Sequence, residues 1–247
     1  MPLIIPADLI DRLRKQPLTA VLTGAGTSAE SSVPTFREAQ TGLWAQYDPM
    51  QLATPQAFAR QPELVWEWYE WRRTLVQAAK PNPGHLALAR LGELLPDFTL
   101  ITQNVDGLHQ RAGSQSVIEL HGNIMRTICS LEGRPVEQWP DQEEIPPRCP
   151  HCGDHLRPDV VWFGEGLPED AIEAAWQAAQ ECELFFSIGT STLVEPAASL
   201  PFLALESGAV LVEVNPNPTP LSTSVDYQLR GPSGEVLPAL LAALENQ

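Results

Sequence analysis

Short runs of apolar and β-branched residues alternate along the chain with longer stretches in which apolar residues recur every three or four positions. The short runs predict buried strands, and the longer stretches predict amphipathic helices. The predicted strands are residues 18–23, 98–102, 117–120, 184–188, 210–214 and 226–229. The predicted helices are residues 7–15, 62–79, 83–95, 169–181, 196–206 and 235–244. This alternation predicts an α/β fold with a mostly parallel sheet of about six strands, covered by helices on both faces.

Two regions interrupt the alternation. Residues 36–82 are helical in pattern and rich in tryptophan, and residues 122–158 carry three cysteines, several prolines and little periodicity. We expect both to form a smaller module beside a core made of residues 1–35, 83–121 and 159–247. The 247 residues would then form one functional domain.

Composition and charge narrow the class of protein. Hydrophobic residues make up 43% and charged residues 19% of the chain, which excludes global disorder. The net charge of −16 argues against nucleic-acid binding and suits a basic protein segment as partner. No apolar run reaches the roughly 18 residues of a membrane helix, and the N-terminus lacks the layout of a signal peptide. We therefore expect a cytoplasmic protein, and a monomer.

Small and polar residues follow five of the predicted strands directly. Parallel strands bring their carboxyl ends to one edge of the sheet, where α/β proteins bind ligands. These residues predict a polar crevice long enough for a dinucleotide. They are Gly24, Ala25 and Gly26; Gln103, Asn104 and Asp106; His121; Gly189, Thr190 and Ser191; and Asn215 and Asn217.

The first of these loops indicates a phosphate site but not an ordinary dehydrogenase. Gly24 and Gly26 lack Cβ atoms, so backbone N–H groups there can approach a pyrophosphate, although a tight turn would explain them equally well. The acidic residue expected about 20 positions later on a second strand is missing. The chain runs instead into Phe36 and Arg37.

Among the five histidines, His121 is the candidate for chemistry. It directly follows a predicted strand at the crevice, where a neutral imidazole can take a hydroxyl proton at physiological pH. We expect His85 and His109 to have structural roles.

Taken together, the loops resemble the sirtuins, which are NAD-dependent protein-lysine deacylases. The matching stretches occur in family order across most of the chain, at residues 24–37, 102–109, 121–122, 160–165 and 189–191, and at Asn215. The resemblance implies a Rossmann-like, doubly wound α/β fold with a smaller inserted helical and cysteine-containing module of the zinc type. One departure is Ser32, where the family usually has glycine.

The resemblance also implies a role for each matching residue. NAD would be the co-substrate, and the cofactor loop would be lined by Gly24, Ala25, Gly26, Phe36 and Arg37. Its nicotinamide and ribose would lie near Gln103, Asn104 and Asp106, and its adenosine half near Gly189, Thr190, Ser191, Asn215 and Asn217. His121 would be the general base and Asn104 a second catalytic residue. Acylated lysine side chains of proteins would be the substrate, with the peptide paired along Val160, Val161, Phe163 and Gly164.

Two other functions stay open at this point. A binding protein could sense NAD or ADP-ribose without turnover, and an ADP-ribosyltransferase would cleave the same co-substrate but use another acceptor. A base beside the ribose favours catalysis over sensing, and the complete stretch 160–165 favours a peptide substrate.

The cysteines match the family's structural zinc site only in part. Sirtuins usually carry two cysteine pairs, and Cys129, Cys149 and Cys152 correspond to three of these four ligands. Glu132 occupies the place of the fourth cysteine. Structural zinc needs four closed ligands, so we expect substoichiometric zinc or none unless Glu132, His151 or His155 completes the set.

The predicted helix 62–79 bears on which acyl group is removed. Tyr69 and Arg72 lie three positions apart and therefore share a helical face, with Arg73 close to it. An aromatic stripe with solvent-exposed arginines would explain the pattern. Tyr-x-x-Arg also resembles the signature of class III sirtuins, the desuccinylase and demalonylase type. The resemblance implies a preference for succinyl- or malonyl-lysine over acetyl-lysine.

Overall fold

The predicted strands pair into one parallel sheet. A computed structural model describes residues 4–33, 47–139 and 144–246. In chain order its strands are β1 (Thr19–Thr23), β2 (Phe98–Thr102), β3 (Val117–Glu119), β4 (Gly122–Cys129), β5 (Leu156–Val160), β6 (Leu184–Ile188), β7 (Val210–Val214) and β8 (Tyr227–Leu229). Six of them form the main sheet in the order β3-β2-β1-β6-β7-β8. The predicted sheet of about six strands is confirmed.

Helices cover both faces of this sheet. The helices are α1 (Ala7–Leu13), α2 (Pro49–Leu52), α3 (Pro55–Arg60), α4 (Pro62–Ala78), α5 (Pro83–Leu94), α6 (Leu108–Arg111), α7 (Glu169–Glu181), α8 (Leu200–Glu206) and α9 (Ser233–Glu245). Side chains of α1, α5 and α9 form one core with the sheet, around Leu13, Leu88 and Leu237. Side chains of α7 and α8 form a second core on the other face, around Ile172 and Leu200. The doubly wound architecture follows from these two apolar layers.

The carboxyl ends of the strands lie level with one another. Thr23, the last residue of β1, stands opposite Thr102 of β2 and Ile188 of β6. Ile188 in turn stands opposite Val214 of β7. Strand order reverses between β1 and β6, because β2 lies on one side of β1 and β6 on the other. A crevice for a ligand is expected outside the carboxyl ends at such a switch point.

The strands β4 and β5 form a separate antiparallel pair that the sequence pattern did not predict. They pack against α4, with a shared core that includes Trp68, Tyr69, Ile124 and Trp162. Burial along β4 follows no regular alternation, and its register shifts partway. For this reason the segment showed no strand periodicity.

Smaller differences concern short helices. The predicted helix 196–206 begins as a 3-10 turn at Ala197–Ser199, and α8 follows it. The helices α2, α3 and α6 have four to six residues each, too short to show a helical repeat. In the parts of the chain that the structure describes, we find no helix with the length and apolar character required to cross a membrane.

Candidate active site

The loops after β1 and β6 interlock at the switch point. The N–H of Gly24 donates to the carbonyl of Ile188 at 3.0 Å, and the N–H of Gly26 donates to that of Gly189 at 2.8 Å. A Cβ on Gly26 would lie 2.8 Å from the Gly189 oxygen, and a Cβ on Gly189 would lie 2.4 Å from the nitrogen of Thr27. Gly189 also has a φ of +60°. The close contact between the two loops therefore requires these glycines. This contact explains them directly, whereas the sequence analysis explained them by the approach of a phosphate.

A buried chain of polar side chains lies beneath these loops. The Asn104 amide donates to the Gly24 carbonyl and to Ser28 Oγ, each at 3.1 Å. Ser28 Oγ donates to Asp106 Oδ2 at 2.7 Å, and the N–H of Leu108 donates to the other oxygen at 2.9 Å. Burial raises the pKa of Asp106, and these two hydrogen bonds oppose that effect. The predicted residues Asn104 and Asp106 thus meet through Ser28, which sequence reasoning did not single out.

His85 and His109 lie behind this chain. His85 Nε2 is 3.3 Å from Ser28 Oγ, and His109 Nε2 is 2.9 Å from Thr23 Oγ1. Their rings are 4.8 Å apart. Burial lowers the pKa of His85 to about 4 and that of His109 to about 3, so both imidazoles are neutral at physiological pH. The structural roles expected for them stay a prediction, and their contacts with Ser28 and Thr23 are consistent with support of the site from behind. The Asn-Pro-Gly-His spacing at residues 82–85, a helix-capping pattern, was the available signal.

His121 lies just after β3, and one of its ring nitrogens has a hydrogen-bond partner that fixes the tautomer. Its Nδ1 is 2.8 Å from the Gln103 carbonyl oxygen, which can only accept. The proton therefore resides on Nδ1, and Nε2 carries a lone pair. Burial lowers the pKa of His121, and the bond to Gln103 opposes the shift. Such an imidazole can accept a proton through Nε2.

The far side of the crevice is formed by the loops after β6 and β7. Gln103 Nε2 donates to Thr190 Oγ1 at 2.9 Å, and Asn215 Nδ2 donates to the Thr190 carbonyl at 3.0 Å. The N–H of Asn217 donates to Asn215 Oδ1 at 3.3 Å, and Ser191 is exposed. Four of the predicted residues are thus linked across three loops.

An ion pair between a buried glutamate and a half-buried arginine supports the loop after β7. Glu213, on β7, accepts from Arg230 at 2.8 Å and from Ser222 Oγ at 2.6 Å. Arg230 also donates to the carbonyl of Asn217 at 3.2 Å. Sequence reasoning missed this pair, although a glutamate inside the apolar run of residues 210–214 was a visible signal.

The helix α4 brings Tyr69 and Arg72 to the opposite wall. Tyr69 is fully buried and its hydroxyl accepts from Trp162 Nε1 at 2.9 Å. The Arg72 guanidinium carbon lies 5.0 Å from the ring centre of Trp68 and 5.7 Å from that of Tyr69. Burial raises the pKa of Tyr69 to about 12 and lowers that of Arg72, while the negative charge of Asp106 opposes the Arg72 shift. Among the described residues, α4 thus contributes aromatic rings, the Arg72 guanidinium and the Tyr69 hydroxyl to this wall.

The Arg73 side chain contacts β4 and not the wall that holds Arg72. Its guanidinium donates to the carbonyls of Ile124 at 2.6 Å and Arg126 at 2.8 Å, and to Thr127 Oγ1 at 3.0 Å. It also pairs with Glu70 at 2.6 Å. Arg73 therefore ties α4 to β4, and Arg72 is the arginine of the wall.

The stretch after β5 connects the two modules. The N–H of Val161 donates to the His121 carbonyl at 3.0 Å, and the N–H of Phe163 donates to that of Ala53 at 2.9 Å. The Phe163 side chain is 39% exposed. Val160 is the last residue of β5, and Gly164 has a φ of +91°. All four predicted peptide-site residues thus lie on one strand end and turn.

Arg157 stabilises this stretch through hydrogen bonds and an ion pair. Arg157 donates to the Val160 carbonyl at 2.8 Å and pairs with Glu165 at 2.6 Å. Glu165 in turn accepts from the N–H of Trp162 at 2.8 Å. The Arg157 guanidinium carbon lies 3.4 Å from the Trp162 ring centre. Sequence reasoning did not single out this arginine.

Two sets of predicted residues remain. Phe36 and Arg37 lie outside the described residues. Cys129, Cys149 and Cys152 come together with Glu132, and their ligand atoms lie within 4.8 Å of one another. Cys182 is buried in the main core, as expected.

Comparison with known proteins identifies the family to which the chain belongs. A family model described as SIR2: Sir2 family matches residues 24–196. The chain belongs to the Sir2 family. The stretch matched begins at Gly24 and includes Asn104, His121 and the β6 loop, and the predicted sirtuin family is confirmed.

The relatives extend over almost the whole chain. An NAD-dependent protein deacylase of Methylococcus capsulatus is 52% identical over an alignment of 245 residues that covers 96% of this chain and 96% of that protein. The crystal structure of a Sir2 homologue in complex with NAD has a TM-score of 0.90 and 44% identity, covering 98% of this chain and 94% of the other. A Sir2 protein bound to an acetylated peptide has a TM-score of 0.84 and 31% identity, covering 96% and 98%.

Proposed function

We propose that this Sir2-family enzyme, an NAD-dependent protein deacylase, prefers lysine side chains that carry a succinyl or malonyl group. The observation that carries the proposal is the pair of Tyr69 and Arg72 on one face of α4. A guanidinium in a largely apolar wall is a partner for an acyl chain that ends in a carboxylate.

NAD, the co-substrate, fits the crevice at the carboxyl ends of the strands. We assign its phosphates to the loop of Gly24, Ala25 and Gly26, together with Phe36 and Arg37. We assign its nicotinamide and ribose to Gln103, Asn104 and Asp106, and its adenosine half to Gly189, Thr190, Ser191, Asn215 and Asn217. The linked amide and hydroxyl groups of the loops after β2, β6 and β7 support this placement. NAD supplies a ribose carbon that becomes electrophilic as nicotinamide leaves.

His121 and Asn104 are the proposed catalytic residues. The unprotonated Nε2 of His121 would accept the proton of a ribose hydroxyl, and the Gln103 carbonyl would stabilise the imidazolium that results. Asn104, fixed by Gly24 and Ser28, would orient the reacting groups. These roles favour a deacylase over a non-catalytic sensor of NAD or ADP-ribose.

The substrate peptide would lie along Val160, Val161, Phe163 and Gly164. The N–H groups of Val161 and Phe163 donate within the protein. Strand addition by the peptide would therefore use other backbone groups of this stretch. The complete stretch 160–165 favours an acyl-lysine peptide as substrate over the other acceptor that an ADP-ribosyltransferase would use.

The acyl preference would depend on whether the acyl group carries a carboxylate that can bind Arg72. A succinyl or malonyl carboxylate can accept two hydrogen bonds from the guanidinium and a third from the Tyr69 hydroxyl. An acetyl group has no carboxylate, so it would make none of these charge-assisted hydrogen bonds with Arg72. We expect the difference to reach roughly 2–4 kcal/mol in transition-state binding, or roughly 30- to 1,000-fold in kcat/KM.

The experiment compares kcat/KM for succinyl and acetyl versions of one peptide, with NAD saturating. Wild type should favour the succinyl peptide, and Arg72→Met should lose most of that preference while keeping acetyl turnover. Arg72→Lys is the matched variant, because it keeps the charge without the planar fork and should retain part of the preference.

Two results would contradict the acyl proposal. One is acetyl turnover in wild type that equals or exceeds succinyl turnover. The other is an unchanged succinyl preference in Arg72→Met. Neither result bears on the deacylase class, which rests on NAD-dependent release of any acyl group.

We also propose a cytoplasmic monomer with no nucleic-acid partner, in which residues 36–82 and 122–158 form the small module. The charge of −16 and the contacts of α4 with β4 and β5 support this picture. Light scattering of the purified protein tests the monomer, since a mass near 54 kDa would be twice the chain's 27.1 kDa.

A further inference from the structure

Two turns of the small module have the same backbone architecture. In the first, which follows β4, the N–H of Cys129 donates to the Arg134 carbonyl at 2.9 Å, and the N–H of Gly133 donates to the Cys129 carbonyl at 2.9 Å. In the second, which precedes β5, the corresponding bonds join Cys149 to Asp154 at 2.7 Å and Gly153 to Cys149 at 2.9 Å.

The matching turns place a different residue at the same position. Each has a glycine with positive φ after its fourth residue, +65° at Gly133 and +79° at Gly153. The residue before the glycine is Cys152 in one turn and Glu132 in the other. A sequence of Cys-x-x-Glu-Gly thus faces a sequence of Cys-x-x-Cys-Gly.

The four side chains at these positions converge. One ligand atom each from Cys129, Glu132, Cys149 and Cys152 lies within 4.8 Å of the others. The sulfurs of Cys129 and Cys152 are 3.3 Å apart, and the N–H of Glu132 donates to Cys129 Sγ at 3.4 Å. The set is the size of a four-coordinate metal site, and tetrahedral zinc accepts both thiolate and carboxylate ligands.

The four side chains of this cluster differ in burial. Cys129 and Cys149 are buried in a small apolar core with Trp66 and Leu156, whereas Cys152 and Glu132 face solvent. Three thiolates select a soft or borderline cation and disfavour magnesium and calcium. Zinc is the member of this group that adopts a closed tetrahedral structural site without redox chemistry.

The two histidines considered from the sequence do not join this set. Within the described part of the chain, the group that meets the ligand spacing contains Glu132 and the three cysteines. His155 instead lies 3.6 Å from Glu144 and contacts the Phe58 ring edge-on.

We propose that the chain binds one zinc ion through Cys129, Cys149, Cys152 and the carboxylate of Glu132, which takes the place of a fourth thiolate. This proposal departs from the expectation of little or no zinc, which rested on the missing cysteine, and takes up Glu132 as the group that completes the set. The ion would join the turn after β4 to the turn before β5. This proposal does not depend on the acyl preference or on activity.

The test measures metal binding in the full-length protein. Elemental analysis of wild type purified without chelator should give about one zinc per chain. In competition with a chromophoric chelator, Glu132→Gln should bind zinc about tenfold more weakly or worse, since even outer partners of metal ligands contribute tenfold or more. Glu132→Cys should bind at least as tightly as wild type. Glu137→Gln, an exposed carboxylate of the same module, is the matched control and should behave as wild type.

Cobalt(II) in place of zinc gives a second readout. Wild type should show tetrahedral visible bands and thiolate-to-cobalt charge transfer, and Glu132→Cys should increase the charge-transfer intensity as a fourth sulfur binds. Wild type without zinc would overturn the proposal. So would Glu132→Gln with wild-type affinity and a wild-type cobalt spectrum.

Discussion

At the scale of single residues, the chemistry depends on which atom each partner leaves available. The Gln103 carbonyl fixes the proton of His121 on Nδ1, so Nε2 is the proposed basic atom. Ser28 acts similarly for its neighbours, because it accepts from Asn104 while donating to Asp106. A substitution at such a residue changes orientation as well as chemistry.

Replacing His121 by alanine should lower kcat/KM about 100-fold or more, the usual effect of removing a general base. The fold should persist, because His121 is only half-buried and contributes little to either apolar core. Steady-state kinetics and a thermal unfolding curve measured on the same preparation check both statements. Turnover close to wild type would show that another group takes the proton.

Ser32 is the residue at which the chain departs from the family glycine, and it has a φ of +60°. Left-handed backbone costs a non-glycine residue roughly 1 kcal/mol. Ser32→Gly should therefore raise the free energy of unfolding by about 0.5–1 kcal/mol through relief of this strain. The greater conformational entropy of glycine in the unfolded chain opposes part of that gain.

The matched control for Ser32→Gly is Ser207→Gly. Ser207 is exposed and has an ordinary φ of −81°, so glycine there should slightly destabilise the protein. Urea unfolding measures both variants. Equal losses of stability at the two positions would refute the strain at Ser32.

At the scale of elements, the start of α5 is joined to the loop after β1. The Asn82 side chain accepts from the N–H groups of Gly84 and His85, and its amide donates to the Thr27 carbonyl at 2.8 Å and to Ser31 Oγ at 3.1 Å. One buried residue thus caps a helix and positions the proposed phosphate loop.

Asn82→Ala should reduce the free energy of unfolding by about 2–3 kcal/mol, because it removes a cap and leaves buried groups without partners. Asp48→Ala removes a cap from α2 at an exposed position and should cost about 1 kcal/mol or less. Urea unfolding of the two variants gives the comparison. A similar loss in both would show that the bonds to Thr27 and Ser31 contribute nothing.

At the scale of the whole molecule, stability depends on pH through the buried histidines. The folded pKa of His85 is about 4 and that of His109 about 3, below the unfolded value of about 6.5. The unfolded chain therefore binds more protons in this range, and stability is lost as the pH falls from about 6.5 towards 4.

Between pH 7 and pH 5, each histidine should lower the free energy of unfolding by about 2 kcal/mol. His109→Gln should be less stable than wild type at pH 7 but should lose about half of the pH dependence. Urea unfolding at both pH values checks this. An undiminished slope in His109→Gln would mean that other groups control acid stability.

Local pattern determined much of this protein. The six strands of the main sheet and the long helices were predictable, because a buried strand or an amphipathic helix leaves its period in the sequence. The polar edge was predictable too, since small residues such as those at 24–26 and 189–191 end parallel strands, and their order along the chain indicated the family.

Contacts between distant segments determined the rest. The strands β4 and β5 were missed because their irregular burial leaves no period. No spacing could separate Arg72 from Arg73. Their surroundings differ because β4 supplies hydrogen-bond acceptors to Arg73, whereas the Arg72 guanidinium lies over the rings of Trp68 and Tyr69. Glu132 becomes a candidate ligand only because two turns about 20 residues apart fold against each other. In each case a side chain takes its role from groups far along the chain, and only packing brings those groups within bonding distance.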